Sequence, residues 1–181
     1  MEYAYYLPDA RKNNYKVGYA ARKELGGGVV FDHLHEIDYG IFLFGDIYSV
    51  FGTAERISTL DINTEDTADL VLRYKKGFNC TLHLDYLQRN YSRTIKIIAE
   101  NGIIEGNFST GILTYIHYGK KTSITRCNKG FDSTYKEEIR HFIKSQKSKT
   151  MPIIDIEEAI HSLKVALAIK RSIKNKKVCV V

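Results

Sequence analysis

Residues 26 to 38 read GGGVVFDHLHEID, three glycines followed by an apolar run that carries five titratable side chains, Asp32, His33, His35, Glu36 and Asp38. Val30, Leu34, Ile37, Ile41 and Phe44 step by four, three, four and three, so they trace one stripe of an amphipathic helix over 29–44, and Gly45 supplies its stop. That stripe is the face to be buried. At about 100° per residue, His35 falls well off it and shares a second stripe with Asp32, Asp38, Tyr39 and Phe42. A histidine beside carboxylates at a helix start feels opposing influences: helix-terminal amides disfavour imidazolium and the carboxylates favour it. The balance predicts titration near neutrality, which suits general acid/base work on an alcohol or carbonyl. The same residues also allow a plain structural histidine. Asp32 is of the type that caps helix N-termini, a role compatible with assisting His35.

A metal site is the competing reading of this cluster. His33 and His35 are two apart, so on a continuous helix they point to nearly opposite sides and cannot grip one ion. No HExxH or paired-cysteine spacing is present, and Cys80, Cys127 and Cys179 are too few and too far apart in sequence for zinc or a disulfide framework. No metal is expected.

The 181 residues suffice for one core, and 44% hydrophobic with 27% charged residues is the balance of a globular domain. No apolar run reaches about 18 residues and no leader is visible, so the expectation is a cytoplasmic protein without a membrane partner. The net charge of +6 raises the question of nucleic acid. The cations group as Lys120, Lys121, Arg126 and Lys129, then Lys144, Lys147 and Lys149, then Lys170, Arg171, Lys174, Lys176 and Lys177. These are loop tips and helix ends, where solvation and the helix dipole account for them, so no nucleic-acid partner is expected.

Before the glycines, Tyr3, Tyr5, Tyr6, Tyr15 and Tyr19 surround a Pro8-Asp9 turn signal and predict an irregular or short-stranded approach. After the helix, alternation predicts strands near 47–55, 67–75, 78–87, 92–100, 102–109, 111–118 and 121–127. Lys76-Gly77 and Asn101-Gly102 mark hairpins, the second with the composition of a type I′ turn. Two amphipathic helices follow, one marked by Tyr135, Ile139, Phe142 and Ile143. The other is marked by Ile156, Ala159, Ile160, Leu163, Ala166, Leu167 and Ile173, with Asp155 and Glu158 as a capping box. Three helices on one face of a largely antiparallel open sheet make a single α+β domain over 1–181. The second face of that sheet is left partly apolar, which predicts a homodimer or higher assembly through it.

The glycine-histidine segment, with YLPDARKNNYKVGYAARKE before it and TADLVLRYKKGFNCTLHLDY, IKIIAENGIIEGNF, EEIRHFI and IDIEEAIHSLKVALAIKRSI after it, resembles the C-terminal domain of the Gfo/Idh/MocA oxidoreductases. That resemblance implies a parent enzyme in which an N-terminal Rossmann domain holds NAD or NADP and the C-terminal domain holds a sugar, cyclitol or sugar-nucleotide substrate. It implies that His35 handles the hydroxyl proton and that Asp32 orients it, although here the aspartate stands three positions before the histidine where many members of the family have four. No GxGxxG precedes Gly26, and Gly26 to Gly28 lack the flanking strand of a phosphate fingerprint, so this chain alone is expected to bind no cofactor. A Rossmann domain truncated, split off or supplied by another chain is the implied partner. Tyr15, Tyr19, Lys23 and Asp38 are the candidates for lining the substrate pocket. A non-enzymatic sugar-binding or assembly module is the alternative.

Overall fold

The computed structural model describes residues 1–11, 14–127 and 131–181. Lys129, grouped above with the loop-tip cations, lies outside them. The elements in chain order are β1 (Glu2–Tyr6), α1 (Leu7–Ala10), three 3₁₀ turns over 15–25, α2 (Val29–Asp32), α3 (Leu34–Phe44), β2 (Ile47–Glu55), β3 (Thr67–Tyr74) and β4 (Asn79–Asp85). They continue with β5 (Leu87–Ala99), β6 (Gly102–Asn107), β7 (Ile112–His117), β8 (Ser123–Arg126), α4 (Phe131–Ser148), α5 (Ile156–Asn175) and β9 (Cys179–Val180). Among the described residues, nine strands form one open sheet in the order β8-β7-β6-β5-β1-β4-β3-β2-β9, and of their pairings only β1–β4 is parallel. The largely antiparallel α+β fold is as the patterning predicts.

Alternation builds the sheet. In β3 the residues Ala68, Leu70, Leu72 and Tyr74 are buried while Asp69, Val71 and Arg73 face out, and in β4 Leu82 and Leu84 continue the same buried layer. Against it pack Val29 and Val30 of α2, Ile37 and Ile41 of α3, and Val165, Ala166, Ala168 and Ile169 of α5. The capping box of α5 forms as expected, with Asp155 accepting from the Glu157 and Glu158 amides and the Glu158 side chain accepting from the Asp155 amide.

The short strand allowed for in the first segment forms as β1, and it lies in the middle of the sheet between β4 and β5. Three expectations need correction. The helix over 29–44 is interrupted: His33 leaves helical geometry at φ −102°, ψ 25°, which splits α2 from α3. The hairpin at 100–102 is not type I′, because its two loop residues are Glu100 and Asn101, positive φ begins only at Gly102, and both central residues of that turn would need it. The third concerns the closing helices. Ile156, Ile160, Leu163 and Leu167 form an exposed stripe of α5, whereas the face on the sheet is made by Ser162, Val165, Ala166, Ile169 and Ser172. Small residues let this helix approach closely, and its two serines are bonded: Ser162 Oγ donates to Asp38 at 2.7 Å and Ser172 Oγ to the Lys177 carbonyl at 2.6 Å. In α4, likewise, Ile139 is 60% and Phe142 58% exposed, so two helices with the short α2 cover the sheet and the apolar stripe of α4 does not.

Candidate active site

The site gathers where β1, the α2–α3 break, the end of β4 and β5 meet. Period two along β1 puts Tyr3 and Tyr5 on the helix-covered side of the sheet. Both rings pack on His33, with centroids 4.5 and 5.2 Å away, and Tyr86 closes the other side at 5.4 Å. The glycine run docks the preceding 3₁₀ turns: the Gly27 and Gly28 amides donate to the Arg22 and Ala20 carbonyls, and a Cβ on Gly27 would strike the Tyr19 and Ala20 carbonyls. Gly28 has φ +104° and lies against the Glu65 carboxylate, which pairs with Lys170 at 2.8 Å. With an anion already at the start of α2, this turn does not fit a cofactor pyrophosphate.

Asp32 is the hub. Its Oδ2 accepts from Tyr5 Oη at 2.7 Å and Tyr86 Oη at 3.0 Å, and its Oδ1 accepts from Tyr19 Oη and from Arg11 Nη2, the latter at 3.2 Å. The carboxylate side chain is 3% exposed. Burial pushes its pKa up, but the tyrosine hydrogen bonds, with His33 and Arg11 nearby, outweigh that and hold it below the usual carboxylate range. It is not a helix cap, since it ends α2 and its side chain makes no cap bond.

His35 is half exposed, with its side chain at 47%, and meets the Tyr3 ring edge-on at 4.8 Å. Its Nε2 lies 3.4 Å from Oε1 of the buried Glu36, and the same oxygen is 2.7 Å from Arg93 Nη2. Burial, then the Arg93 charge, lowers its pKa against the pull of Asp32, so the ring is neutral and basic at pH 7. The break at His33 also overturns one expectation: the rings of His33 and His35 are 5.9 Å apart, on the same tyrosine, not on opposite sides of a helix. Among the described residues no group of three His, Cys, Asp or Glu is placed to share an ion.

His33 is buried with neither ring nitrogen hydrogen-bonded, and burial lowers its pKa to about 3. Its folded pKa lies below the unfolded 6.5, so the unfolded state binds the proton first and stability falls as pH drops from 6.5 toward 3. The slope is about 1.4 kcal/mol per pH unit, or about 2 kcal/mol between pH 7 and pH 5. His33→Phe is expected to remove that loss; equal pH dependence of urea unfolding in the two proteins would contradict it.

The structure thus brings His35, Asp32 and Tyr19 together. Asp38 is taken by Ser162, the Tyr15 hydroxyl accepts from the Asp61 amide at 3.2 Å, and Lys23 is exposed with its amide on Asn63. Sequence reasoning missed Tyr5, Tyr86, Arg11 and Arg93, and it placed Glu36 in the titratable cluster without giving it a role. Period two in EYAYY could have flagged Tyr5; nothing local marks Arg93, which reaches Glu36 from β5.

The fold is thus an open, mostly antiparallel sheet with an interrupted helix docked on it and a half-exposed histidine beside buried carboxylates at the break. Residues 1–105 match the GFO/IDH/MocA C-terminal domain, and the chain belongs to that family. No curated protein matches the sequence. Among solved structures, levoglucosan dehydrogenase in complex with NADH superimposes with a TM-score of 0.87 at 15% identity, over 99% of this chain and 57% of that one. UDP-N-acetylglucosamine 3-dehydrogenase from Acidithiobacillus ferrooxidans gives 0.76 at 15%, over 96% and 52%. An oxidoreductase from Agrobacterium radiobacter, in complex with NAD+, L-tartaric acid and magnesium, gives 0.78 at 15%, over 99% and 55%. At such identities the likeness is one of fold. The chain spans about half the length of these relatives.

Proposed function

We propose that this chain is the substrate-binding and self-association domain of an NAD(P)-dependent oxidoreductase acting on the CH–OH of a sugar, cyclitol or sugar-nucleotide. The observation that carries the reading is a neutral, half-exposed His35 set beside an ionised cluster in the family's C-terminal domain. NAD(P), held by a Rossmann domain outside these 181 residues, would supply the hydride acceptor. His35 takes the hydroxyl proton, and Tyr19, exposed and bonded to Asp32, lines the approach. Asp32 acts through the tyrosines it anchors, because its four acceptor positions are already filled. The uncovered stripes of α4 and α5, with Ile139, Phe142, Ile160 and Leu163, support a docking face for that second domain.

The test compares the chain alone with the chain joined to its Rossmann domain. Alone it is expected to bind NAD(H) and NADP(H) no more tightly than about 10 μM, near −7 kcal/mol by calorimetry. Joined, it is expected to reduce NAD(P) with a polyol substrate. Sugar binding without turnover in the joined protein would replace this reading with a non-enzymatic module.

Self-association is assigned to the helix-free face of the sheet. Phe51, Val71, Ile98 and Ile124 are exposed there, Ile98 at 74%, around a polar spot where His83 bridges Asp69 and Asp85 at 2.8 and 3.0 Å. Sedimentation at micromolar concentration is expected to give a dimer or larger, burying upwards of about 1,200 Å². Ile98→Lys should shift it toward monomer; a wild-type protein already monomeric excludes the interface.

A further inference from the structure

Glu36 is an unusual neighbour for a candidate acid/base. Its side chain is 2% exposed, on the first turn of α3, and a carboxylate so buried persists in charged form only beside a cation. Arg93 supplies that cation at 2.7 Å from Oε1. The guanidinium is itself caged, 4.7 Å from the Phe108 ring centroid, 5.4 Å from Tyr3 and 6.0 Å from Tyr39. The same Oε1 stands 3.4 Å from His35 Nε2, while the Tyr3 ring bounds the imidazole edge-on. Asp32, the carboxylate expected to orient His35, spends its oxygens on Tyr5, Tyr19, Tyr86 and Arg11.

Resting on the reading of His35 as the acid/base, we propose that Glu36, clamped by Arg93, is its positioning residue. At rest Oε1 stands beside Nε2 without a hydrogen bond; it receives the Nε2–H of His35 as the ring gains charge, which holds the ring and leaves Nδ1 as the basic nitrogen. When Nδ1 takes the substrate hydroxyl proton, the imidazolium keeps Nε2–H against the carboxylate, and no proton passes to Glu36. A contact of 3.4 Å in the resting ring is long and shortens as the ring gains charge. The charged and titratable groups facing His35 are then Glu36 and Asp38 on α3, Asp32 and His33 at the break before it, Arg93 from β5 and Tyr3 from β1.

The experiment is a ¹⁵N-detected titration of the histidine rings in the full 181-residue chain, with His35 assigned by its loss in His35→Ala. Wild type is expected to show the Nε2–H tautomer, and Glu36→Gln to lower the His35 pKa by about one pH unit, the ordinary size of a neighbouring-charge effect. Glu36→Asp, which keeps the charge but withdraws it by one methylene, should give a smaller fall of about half a pH unit. A merely structural glutamate would change melting temperature and leave tautomer and titration alone. An Nδ1–H tautomer in wild type, or an unmoved pKa in folded Glu36→Gln, overturns the assignment. If Glu36→Gln does not fold, an unmoved pKa in Glu36→Asp does the same. Failure of the underlying reading looks different: His35→Ala would then be fully active in the joined enzyme, whatever the titration shows.

Discussion

His35→Ala, assayed in the chain joined to its Rossmann domain, is expected to lower kcat by about 10²- to 10⁴-fold, the usual contribution of a positioned acid/base. Stability should change little, because the ring is half exposed and its packing is confined largely to the edge of Tyr3. The loss should fall on kcat more than on KM, since the proton is transferred in the transition state and not on binding. Activity should also decline on the acid side as the neutral ring is lost, at a pH below the ordinary histidine value of 6.5, because burial and Arg93 lower its pKa. Full activity in the alanine variant would show that His35 is an ordinary surface residue.

Asp32→Ala should produce the largest loss of stability. It leaves the hydroxyls of Tyr5 and Tyr86 without their acceptor, and Tyr86 is fully buried. At 1–3 kcal/mol for each unsatisfied group, the cost is about 3 kcal/mol, or about 10 °C in Tm for a chain of this size. Asp32→Asn keeps the shape and one acceptor oxygen and should cost less. The pH window separates this residue from His33. The folded pKa of Asp32 is depressed, so its contribution is fully present above the unfolded value of 3.8 and is lost as pH falls through the lower folded value. His33 begins to destabilise the fold already below pH 6.5. Thermal melts of wild type and Asp32→Asn should therefore lose stability in parallel down to about pH 4 and converge only below it. Equal melting temperatures of wild type and Asp32→Ala at pH 7 would remove the hub from this account.

Where one periodicity had one interpretation, the chain was legible. Strands β2, β3 and β4 fall where period two puts them because each has one buried face, so Leu70, Leu72, Leu82 and Leu84 could have no other partners. Asp155 with Glu158 opened α5 for the same local reason, a cap that needs nothing beyond its own turn. The stripe Val30, Ile37 and Ile41 marked the buried face of the glycine-led helix, and His35 off that stripe marked the exposed candidate. These are properties of short segments.

Elsewhere a segment had two readings and only its neighbours chose between them. α5 carries an apolar stripe, Ile156, Ile160, Leu163 and Leu167, and a small-residue face, Ser162, Ala166 and Ser172. Hydrophobicity alone favours the first. Close approach to β2, with Ser172 Oγ accepting from the Gly52 amide at 3.2 Å, selected the second. β1 is five residues of tyrosine-rich sequence whose central place depends on β4 and β5, some eighty residues away, offering their edges. The site followed the same division. Sequence alone determined the candidate pair, His35 and Asp32, and the family resemblance that gave them a chemistry. Tertiary structure decided that Asp32 is held by tyrosines from three separate segments and that Glu36 meets Arg93 from a distant strand. The reason is physical: a buried carboxylate must find its donors wherever the fold brings them, and no spacing in the chain records which those are.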